Sequence, residues 1–297
     1  MAWWVIIIEK QLNTFMDAKR LTIKDVPGKF MSETGQTLAD YSVALGYSKD
    51  TRGKQFTAIG SGVLVHKGTR FGILTARHCV EKPGPEIHLG PTGGDVLFLV
   101  LQRGRSVLVQ PQDAIKHSFV IPKSIEFGPD LAFIEILPGE RLNSIKAVGS
   151  FWNLDKDSSQ IAASYGKLGT LLATIGFPGI HYNTKIDGNT IRHQIRHMAY
   201  YFINGPADTF ERDGWDYIEN MCDYGPSSEL PLSFAGMSGG PMWGLHFDVD
   251  EKNEQFTLAG FALLGISFYE TAIENDMRKL RAHYIKSIYD LAWRHLD

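Results

Sequence analysis

The chain has 297 residues, of which 43% are hydrophobic and 21% charged, a composition typical of a globular protein with one large domain or two of ordinary size. Its formal net charge of −3 produces no overall positive field that would attract nucleic acid or an anionic membrane. We therefore expect neither nucleic acid nor membrane among its partners.

The N-terminal stretch MAWWVIIIEKQLN carries seven consecutive apolar residues after its Met, with no positive segment before them and no small-residue cleavage site after them. It resembles neither a signal peptide nor a membrane span, which needs about 18 apolar residues. We expect a β-strand packed on the body, within an N-terminal extension over residues 1–50. A segment that docks a partner is the alternative.

Cys79 and Cys222 are too few for a disulfide framework, and the sequence has no Asn-x-Ser/Thr acceptor for glycosylation. Both features favour a reducing compartment, and we expect a cytoplasmic location. No Cys-x-x-Cys or His-Glu-x-x-His spacing supplies metal ligands. We expect no metal and no cofactor.

Between residues 51 and 150, short runs rich in Val, Ile, Leu and Phe alternate with Gly, Pro and Asp. Such runs are typical of antiparallel strands in a sandwich or barrel. The runs are FTAIGSGVLVH, RFGILTA, EIHLG, DVLFLVLQ, SVLVQ and LAFIEIL. They predict a first β-barrel over residues 51–150.

A second set of runs follows the polar stretch at 153–160 and predicts a second β-barrel over 151–270. It comprises KLGTLLATIGFPG, TIRHQIRHMAYYFI, GGPMWGLHFDV and QFTLAGFALLGISF. Asp187-Gly188-Asn189 has the residues of a hairpin turn. Residues 203–232 are polar and rich in turn formers, and we expect a long surface loop there.

The C-terminal segment 271–297 differs, because its apolar residues recur every three or four positions. They are Met277, Leu280, Tyr284, Ile288 and Leu291. This spacing predicts one amphipathic α-helix packed across a barrel, with dimerisation as the alternative. The expected fold class is all-β, with two six-stranded antiparallel β-barrels and a C-terminal α-helix.

Three short segments combine the residue types of nucleophilic catalysis. TARHC ends an apolar strand near His78, GPDLAFIEI places Asp130 at the start of another, and AGMSGGPMWG surrounds Ser238 with glycines. A serine hydroxyl is a weak nucleophile at neutral pH and needs a histidine to accept its proton, while a carboxylate orients the histidine.

These segments resemble the histidine, aspartate and serine motifs of the chymotrypsin-like (trypsin-fold) serine peptidases. His78, Asp130 and Ser238 follow that family's order, with separations of 52 and 108 residues. TIGFPG at 174–179 and TLAGFALLG at 257–265 also resemble family strands, the second being the strand that lines the substrate cleft. The resemblance implies a serine endopeptidase that works through an acyl-enzyme.

The resemblance further assigns the oxyanion hole to the backbone N–H groups of Gly236 and Ser238. It places Leu232 at the base of the substrate pocket, and Leu263 to Gly265 in one wall. Because these positions supply neither a carboxylate nor a histidine, we expect an uncharged or apolar side chain at the cleaved position.

Two positions depart from the family's pattern. No cysteine stands near Gly62, where many members carry the disulfide partner of Cys79, so we expect Cys79 to be a packed free thiol. Met237 replaces the aspartate that pairs with a new N-terminus in secreted members. A methionine cannot form that ion pair, and we therefore expect activity without N-terminal cleavage.

Other interpretations stay open. The segment around Ser238 also fits the G-x-S-x-G turn of α/β-hydrolases, although Pro241 and the strand-like MWGLHF follow where that fold needs a helix. A catalytically inactive trypsin-fold protein that binds partners is the second alternative. A cytoplasmic peptidase needs restraint, so we expect a narrow protein or peptide substrate, or a regulatory protein partner.

Overall fold

The computed structural model describes residues 26–48, 56–81, 87–90, 94–101, 105–119, 124, 126–165, 171–178, 183–187, 190–194, 197–202, 208–224, 230–250 and 255–296. The strand predicted for the N-terminal stretch lies outside these residues. Within the described part of the chain, no helix combines the length and the apolar character needed to cross a bilayer.

Eight described strands form the first sheet, which is antiparallel along its main path. They are β1 (Ser42–Ser48), β2 (Phe56–Lys67), β3 (Arg70–Thr75), β4 (Val96–Val100), β5 (Ser106–Val109), β6 (Ala114–Ser118), β7 (Ala132–Ile136) and β8 (Trp152–Asn153). The order is β5-β4-β1-β2-β3-β7-β6, and β8 pairs in parallel with β2. Five of the predicted runs are confirmed as strands, whereas residues 87–90 of the EIHLG run form none.

Seven described strands form the second sheet, and two more form a separate hairpin. They are β9 (Leu171–Gly176), β10 (Asn183–Asp187), β11 (Thr190–Gln194), β12 (Met198–Phe202), β13 (Asp208–Arg212), β14 (Trp215–Asp223), β15 (Pro241–Asp250), β16 (Gln255–Glu270) and β17 (Met277–His283). The sheet order is β12-β9-β15-β16-β17-β14-β13. β10 pairs with β11, with Asp187 opposite Thr190, as the predicted hairpin turn requires.

The fold is mostly β, with two curled antiparallel sheets, one of them a half-barrel. Two six-stranded barrels are not confirmed: among the described strands, the first sheet has β5 and β6 at the ends of its order, and the second has β12 and β13. Hydrophobic runs identify strands, but closure of a barrel depends on stagger between its first and last strands, which the runs do not encode.

Residues 26–48 pack on the body of the protein. Helix α1 (Gly28–Ala39) contacts β9 and β16, and its Phe30 ring lies 6.0 Å from Phe247 and 5.8 Å from Phe256. β1 follows and lies between β4 and β2. The boundary at residue 50 stays a prediction. The run SVALGYS contains serine and glycine and escapes a search for apolar residues, although every residue in it is buried.

Residues 208–223 form a strand hairpin in place of the long loop predicted over 203–232. β13 and β14 pair antiparallel, and most of β14 is buried. The polar residues that suggested a loop have partners: Glu219 binds Arg281, and the Asp216 carboxylate accepts backbone N–H groups at the start of the C-terminal helical turns. Buried polar groups that are satisfied in this way are compatible with a central strand.

The C-terminal segment also differs from the prediction, because Met277–His283 forms strand β17 and not part of an α-helix. β17 lies between β14 and β16, and its residues from Leu280 onward are buried. A strand covered on both faces loses the two-residue alternation that would identify it. Helical turns follow at Ser287–Leu291 and Ala292–His295.

One hydrophobic core runs through both sheets. Trp152 of the first sheet and Trp243 of the second pack edge to face, with ring centroids 5.2 Å apart, and Tyr41 contacts both rings. Helix α2 (Glu140–Lys146) connects β7 to β8 of the first sheet, and helix α3 (Ser158–Tyr165) lies in the connection to the second sheet. The shared core fixes the two sheets against each other, so residues from both can meet at their seam.

Candidate active site

His78 lies on a single helical turn, Arg77–Cys79, that begins two residues after β3 ends. Ala76 keeps extended φ and ψ angles of −71° and 138°, so the chain leaves the strand and turns at once. The His78 side chain is 36% exposed, while the strand before it is buried. The backbone of the histidine is therefore anchored and its ring stays accessible.

Asp130 binds His78 through both carboxylate oxygens. Oδ1 accepts a 2.8 Å hydrogen bond from the His78 backbone N–H, and Oδ2 lies 2.5 Å from Nδ1 of the ring. The Asp130 side chain is only 6% exposed, so these bonds replace water around its charge. A proton on Nδ1 serves this contact and leaves Nε2 as the acceptor of the neutral ring.

The surroundings of His78 favour its protonated form. Burial lowers the pKa of the imidazole, but the hydrogen bond to Asp130 and the contact with the Cys79 thiol outweigh burial and raise the pKa to about 10. A raised pKa stabilises the imidazolium, which is the form that follows transfer of a proton to the ring.

The second sheet also holds Asp130, through His283 of β17. The Asp130 backbone N–H donates a 2.9 Å hydrogen bond to Nε2 of His283, whose buried ring stacks on Phe268 with centroids 4.6 Å apart. Burial outweighs the nearby charge of Asp130 and lowers the pKa of His283 to about 4, so the ring is neutral. No motif marks this histidine, because it lies in the segment predicted to be helical.

Arg281, also on β17, holds the loop that leads to Asp130. Its guanidinium donates to the Glu126 backbone carbonyl and lies over the Phe127 ring, 4.2 Å from the centroid. It also binds Glu219 Oε1 at 2.5 and 2.7 Å, which satisfies its buried charge. β17 thus fixes both the Asp130 backbone and the residues before it.

Ser238 lies on a tight turn before β15 that requires glycine. Gly236 and Gly239 have φ angles of 91° and 83°, in the left-handed region. A Cβ on Gly239 would lie 2.1 Å from Thr75 Oγ1 and 2.2 Å from the Ser61 carbonyl oxygen. The first sheet therefore approaches the turn so closely that no side chain fits.

Hydrogen bonds tie this turn to both sheets. The Ser238 carbonyl accepts a 2.8 Å bond from the Ser61 N–H of β2 and a 3.3 Å bond from the thiol of Cys79, the neighbour of His78. The N–H of the next residue donates to the Ser267 carbonyl of β16 at 2.7 Å. The predicted histidine, aspartate and serine are therefore brought together at the seam of the two sheets.

Two backbone N–H groups of the turn are free to bind a ligand. Among the described residues, the N–H groups of Gly236 and Ser238 donate no hydrogen bond, whereas that of Met237 between them donates to the Phe234 carbonyl at 2.8 Å. Backbone donors in partly buried positions need an acceptor. Both groups are available to an acceptor, and their role as the oxyanion hole stays a prediction.

The hydroxyl of Ser238 is not engaged with the imidazole. Within the described residues, the hydrogen bonds of Ser238 use its backbone carbonyl, and none joins its hydroxyl to the His78 ring. Hydrogen bonds between a nucleophile and its base are often long in the absence of substrate and tighten when substrate binds.

The predicted pocket residues differ in position from the expectation. Leu232 is 80% exposed, so its side chain does not form the base of an enclosed pocket. Leu263 and Gly265 lie within β16 opposite Trp243 and Met242, and the Leu263 side chain is buried in the core. The role of Leu232, Leu263 and Gly265 in a substrate pocket stays a prediction.

The part of β16 beside the Ser238 turn is its C-terminal end, where Ser267 bonds to the turn. Glu270, the last residue of β16, accepts a 2.9 Å bond from the Phe234 N–H and pairs with Arg278 at 2.8 Å. This ion pair holds the residues that precede the nucleophile turn. Neither charged residue was indicated by the motifs.

Both cysteines are buried free thiols, as expected. The residue that faces Cys79 is Gly60, not Gly62. A Cβ on Gly60 would lie 2.5 Å from Cys79 Sγ, whereas a Cβ on Gly62 would meet Ile73. The expected position of the missing disulfide partner was therefore two residues too far along β2.

Within the described ranges, no three His, Cys, Asp or Glu side chains are grouped so that they could hold a metal ion. The sequence matches no known protein family and no curated protein.

Proposed function

We propose that the chain is a serine endopeptidase in which Ser238, His78 and Asp130 form a catalytic triad, as the resemblance of its motifs implies. The observation that supports this best is the two-point bond between Asp130 and His78, with Oδ2 2.5 Å from Nδ1. That bond fixes the ring and reserves Nε2 for proton transfer.

In the first step, the Ser238 hydroxyl oxygen attacks the carbonyl carbon of the peptide bond. His78 accepts the hydroxyl proton at Nε2, and the carbonyl electrons move to the oxygen, which becomes an oxyanion. The Asp130 carboxylate stabilises the imidazolium that forms, the same interaction that raises the pKa of His78.

The N–H groups of Gly236 and Ser238 donate to the oxyanion. Neither has another acceptor among the described residues, so neither must break a bond to do so. Loss of one such donor costs about 3 to 4 kcal/mol of transition-state stabilisation in enzymes of this kind. The turn that is rich in glycine is therefore as important to the proposal as the triad.

Collapse of the tetrahedral species breaks the C–N bond, and His78 gives its proton to the departing amine. An acyl group then remains on Ser238 Oγ. Water attacks this ester with His78 again as the base, and the carboxylic acid product leaves the restored serine.

We also propose a cytoplasmic location. The enzyme would act on a narrow range of protein or peptide substrates, or a regulatory protein partner would limit its activity. Met237 is buried and carries no carboxylate, so we propose that activity needs no N-terminal cleavage. The preference for an uncharged side chain at the cleaved position stays a prediction. A peptide library cleaved strictly after Arg or Lys would contradict it.

A fluorophosphonate probe tests the nucleophile directly. We expect labelling of Ser238 in the wild type, and its loss in both Ser238→Ala and His78→Ala. Ser106→Ala is the control, because it removes an exposed serine from β5 at the edge of the first sheet and should leave labelling intact. Parallel profiling of the wild type and Ser238→Ala with peptide libraries tests peptidase activity.

An inactive trypsin-fold protein that binds partners is the second candidate. The lack of a hydrogen bond between the Ser238 hydroxyl and the His78 ring, within the described residues, favours it. A folded wild-type chain that resists the probe and cleaves no library peptide would support this candidate and contradict the peptidase.

A further inference from the structure

Ser61 of β2 is a fully buried serine between the two sheets. Its hydroxyl donates a 2.6 Å hydrogen bond to the Gly236 carbonyl and accepts a 2.9 Å bond from the N–H of Phe177, just beyond β9. Its backbone N–H separately binds the Ser238 carbonyl at 2.8 Å. The side chain and the backbone of Ser61 therefore act on the two residues of the proposed oxyanion hole.

The orientation of Gly236 depends on hydrogen bonds to its backbone. Its φ of 91° is a conformation that glycine adopts freely, and its N–H has no acceptor among the described residues. It carries no side chain that could pack. Its carbonyl shares a planar peptide unit with the Met237 N–H, which donates to the Phe234 carbonyl at 2.8 Å, so the bond from Ser61 is one of two that fix this unit beside the Gly236 N–H.

We propose that Ser61 is a positioning residue that aims the Gly236 N–H at the oxyanion, an inference that rests on the proposed peptidase function. Phe177 supports this arrangement, because its N–H occupies an acceptor site of the hydroxyl and directs the hydroxyl proton toward Gly236. The hydroxyl uses its one donor in this bond, so it has none left for a ligand.

Removal of the hydroxyl should affect Gly236 and spare Ser238. In Ser61→Ala the backbone bond to the Ser238 carbonyl remains, so the nucleophile keeps its anchor. The Gly236 carbonyl loses its partner, and only the bond from the Met237 N–H to Phe234 then holds the peptide unit beside the partly buried Gly236 N–H. The chemical step should slow while binding is unchanged.

The test is inactivation of the full chain by a fluorophosphonate probe, resolved into KI and kinact. In this reaction the bond from Ser238 Oγ to phosphorus forms, the P–F bond breaks, fluoride leaves, His78 takes the hydroxyl proton, and the phosphonyl oxygen enters the oxyanion hole. We expect Ser61→Ala to lower kinact by roughly 10- to 100-fold with KI unchanged, since deletion of an oxyanion donor costs about 10²- to 10³-fold.

A pair of variants of equal shape isolates the hydroxyl. Ser61→Thr keeps it and should restore kinact toward the wild-type value, whereas Ser61→Val has the same shape without it and should stay slow. This pair decides the question if Ser61→Ala is too unstable to measure.

Tyr289→Phe is a matched control for lost stability. The Tyr289 hydroxyl also donates one hydrogen bond, to the Leu263 carbonyl at 2.9 Å, and accepts one, from Trp152 Nε1 at 2.7 Å. Its removal should lower Tm and leave kinact unchanged, because neither bond involves the Ser238 turn.

The outcomes separate the inference from the function on which it rests. If the wild type is labelled at Ser238 and Ser61→Val reacts as fast as Ser61→Thr, the positioning role is wrong and the peptidase proposal stands. If a folded wild type is not labelled, the peptidase proposal fails and the inference fails with it.

Discussion

The backbone N–H of Asp130 and Nε2 of His283 lie 2.9 Å apart and are hydrogen-bonded, so a neutral histidine of the second sheet fixes the carboxylate residue of the first. The ring is fully buried and stacks on Phe268. A buried amide has no water to replace a lost acceptor. This hydrogen bond therefore contributes both to the stability of the interface between the two sheets and to the position of Asp130 in the candidate triad.

Replacement of His283 by Phe should retain the stacking and leave the Asp130 N–H unsatisfied. We expect a loss of about 1 to 3 kcal/mol in the free energy of unfolding, the usual cost of an unpaired buried donor. Urea denaturation at pH 7.5 measures it. His117→Phe is the control, because His117 is partly exposed and stacks on Phe133, and it should cost less. Equal losses in the two variants would contradict the role of the Asp130 contact.

The stability of the chain should fall in mild acid because of His283. Its pKa is about 4 in the folded state and about 6.5 when unfolded, so between these pH values the unfolded state binds the extra proton. The expected loss is at most about 1.4 kcal/mol per pH unit and roughly 3 kcal/mol over the window.

His78 acts in the opposite direction, because its raised pKa gives stability that is present below about pH 6.5 and lost as the pH rises through the folded value. Only the wild type carries the titrating His283. The difference in unfolding free energy between wild type and His283→Phe should therefore narrow as the pH falls from 6.5 to 4. Urea titrations at several pH values in this range measure the difference. A constant gap would show that His283 does not titrate as proposed.

The Asp130→Asn variant should be nearly inactive toward the fluorophosphonate probe. The asparagine can still accept from the His78 backbone N–H, but its amide would donate to Nδ1 and move the ring proton to Nε2. The ring would then be unable to accept the serine proton, and a loss of about 10⁴ is known for this change in the trypsin-fold template.

The pH dependence of labelling gives a second measure of the same pair. The wild-type rate should rise with pH as His78 loses its proton, with a midpoint above the ordinary value of about 6.5, because Asp130 holds the pKa up. In Asp130→Asn the residual rate should show a lower midpoint. A midpoint that does not move would exclude the carboxylate as the cause of the raised pKa.

A cysteine at position 60 should form a disulfide with Cys79. A Cβ on Gly60 would lie 3.3 Å from the Cys79 Cβ, close to the 3.5 to 4.5 Å range of disulfides, and 2.9 Å from the Ser238 carbonyl oxygen, so the link requires β2 to move slightly away from the Ser238 turn. Mass spectrometry of the oxidised Gly60→Cys protein should find this link, with Cys222 left free. Gly62→Cys is the control and should remain reduced, since its Cβ would face Ile73. A disulfide to Cys79 that forms only in Gly62→Cys would contradict the position of Gly60 beside Cys79.

The grouping of His78, Asp130 and Ser238 could be predicted from sequence because each lies on a local signal. A strand end, a carboxylate before an apolar run and a glycine turn are all encoded by neighbouring residues. Gly239 illustrates this, since its φ of 83° and the close approach of Thr75 both demand glycine.

The supporting residues could not be predicted, because their roles depend on contacts between distant parts of the chain. Arg281 and His283 lie in β17, which is paired on both sides and buried from Leu280 onward. The spacing of the apolar residues in this segment is typical of a helix. The motif alignment selected Leu232, whose side chain is exposed. The residues before the nucleophile turn are held by Glu270 and Arg278, which the motifs do not indicate. Local patterns carry no information on such pairings.

The position of β17 has a consequence for biosynthesis. The acceptor for the Asp130 N–H is the last residue of that strand, so it leaves the ribosome after every member of the candidate triad. A nascent chain that has already exposed Ser238 still lacks the residue that holds the aspartate in place. Any hydrolytic power of this protein would therefore arise only after β17 has been synthesised and has docked between β14 and β16.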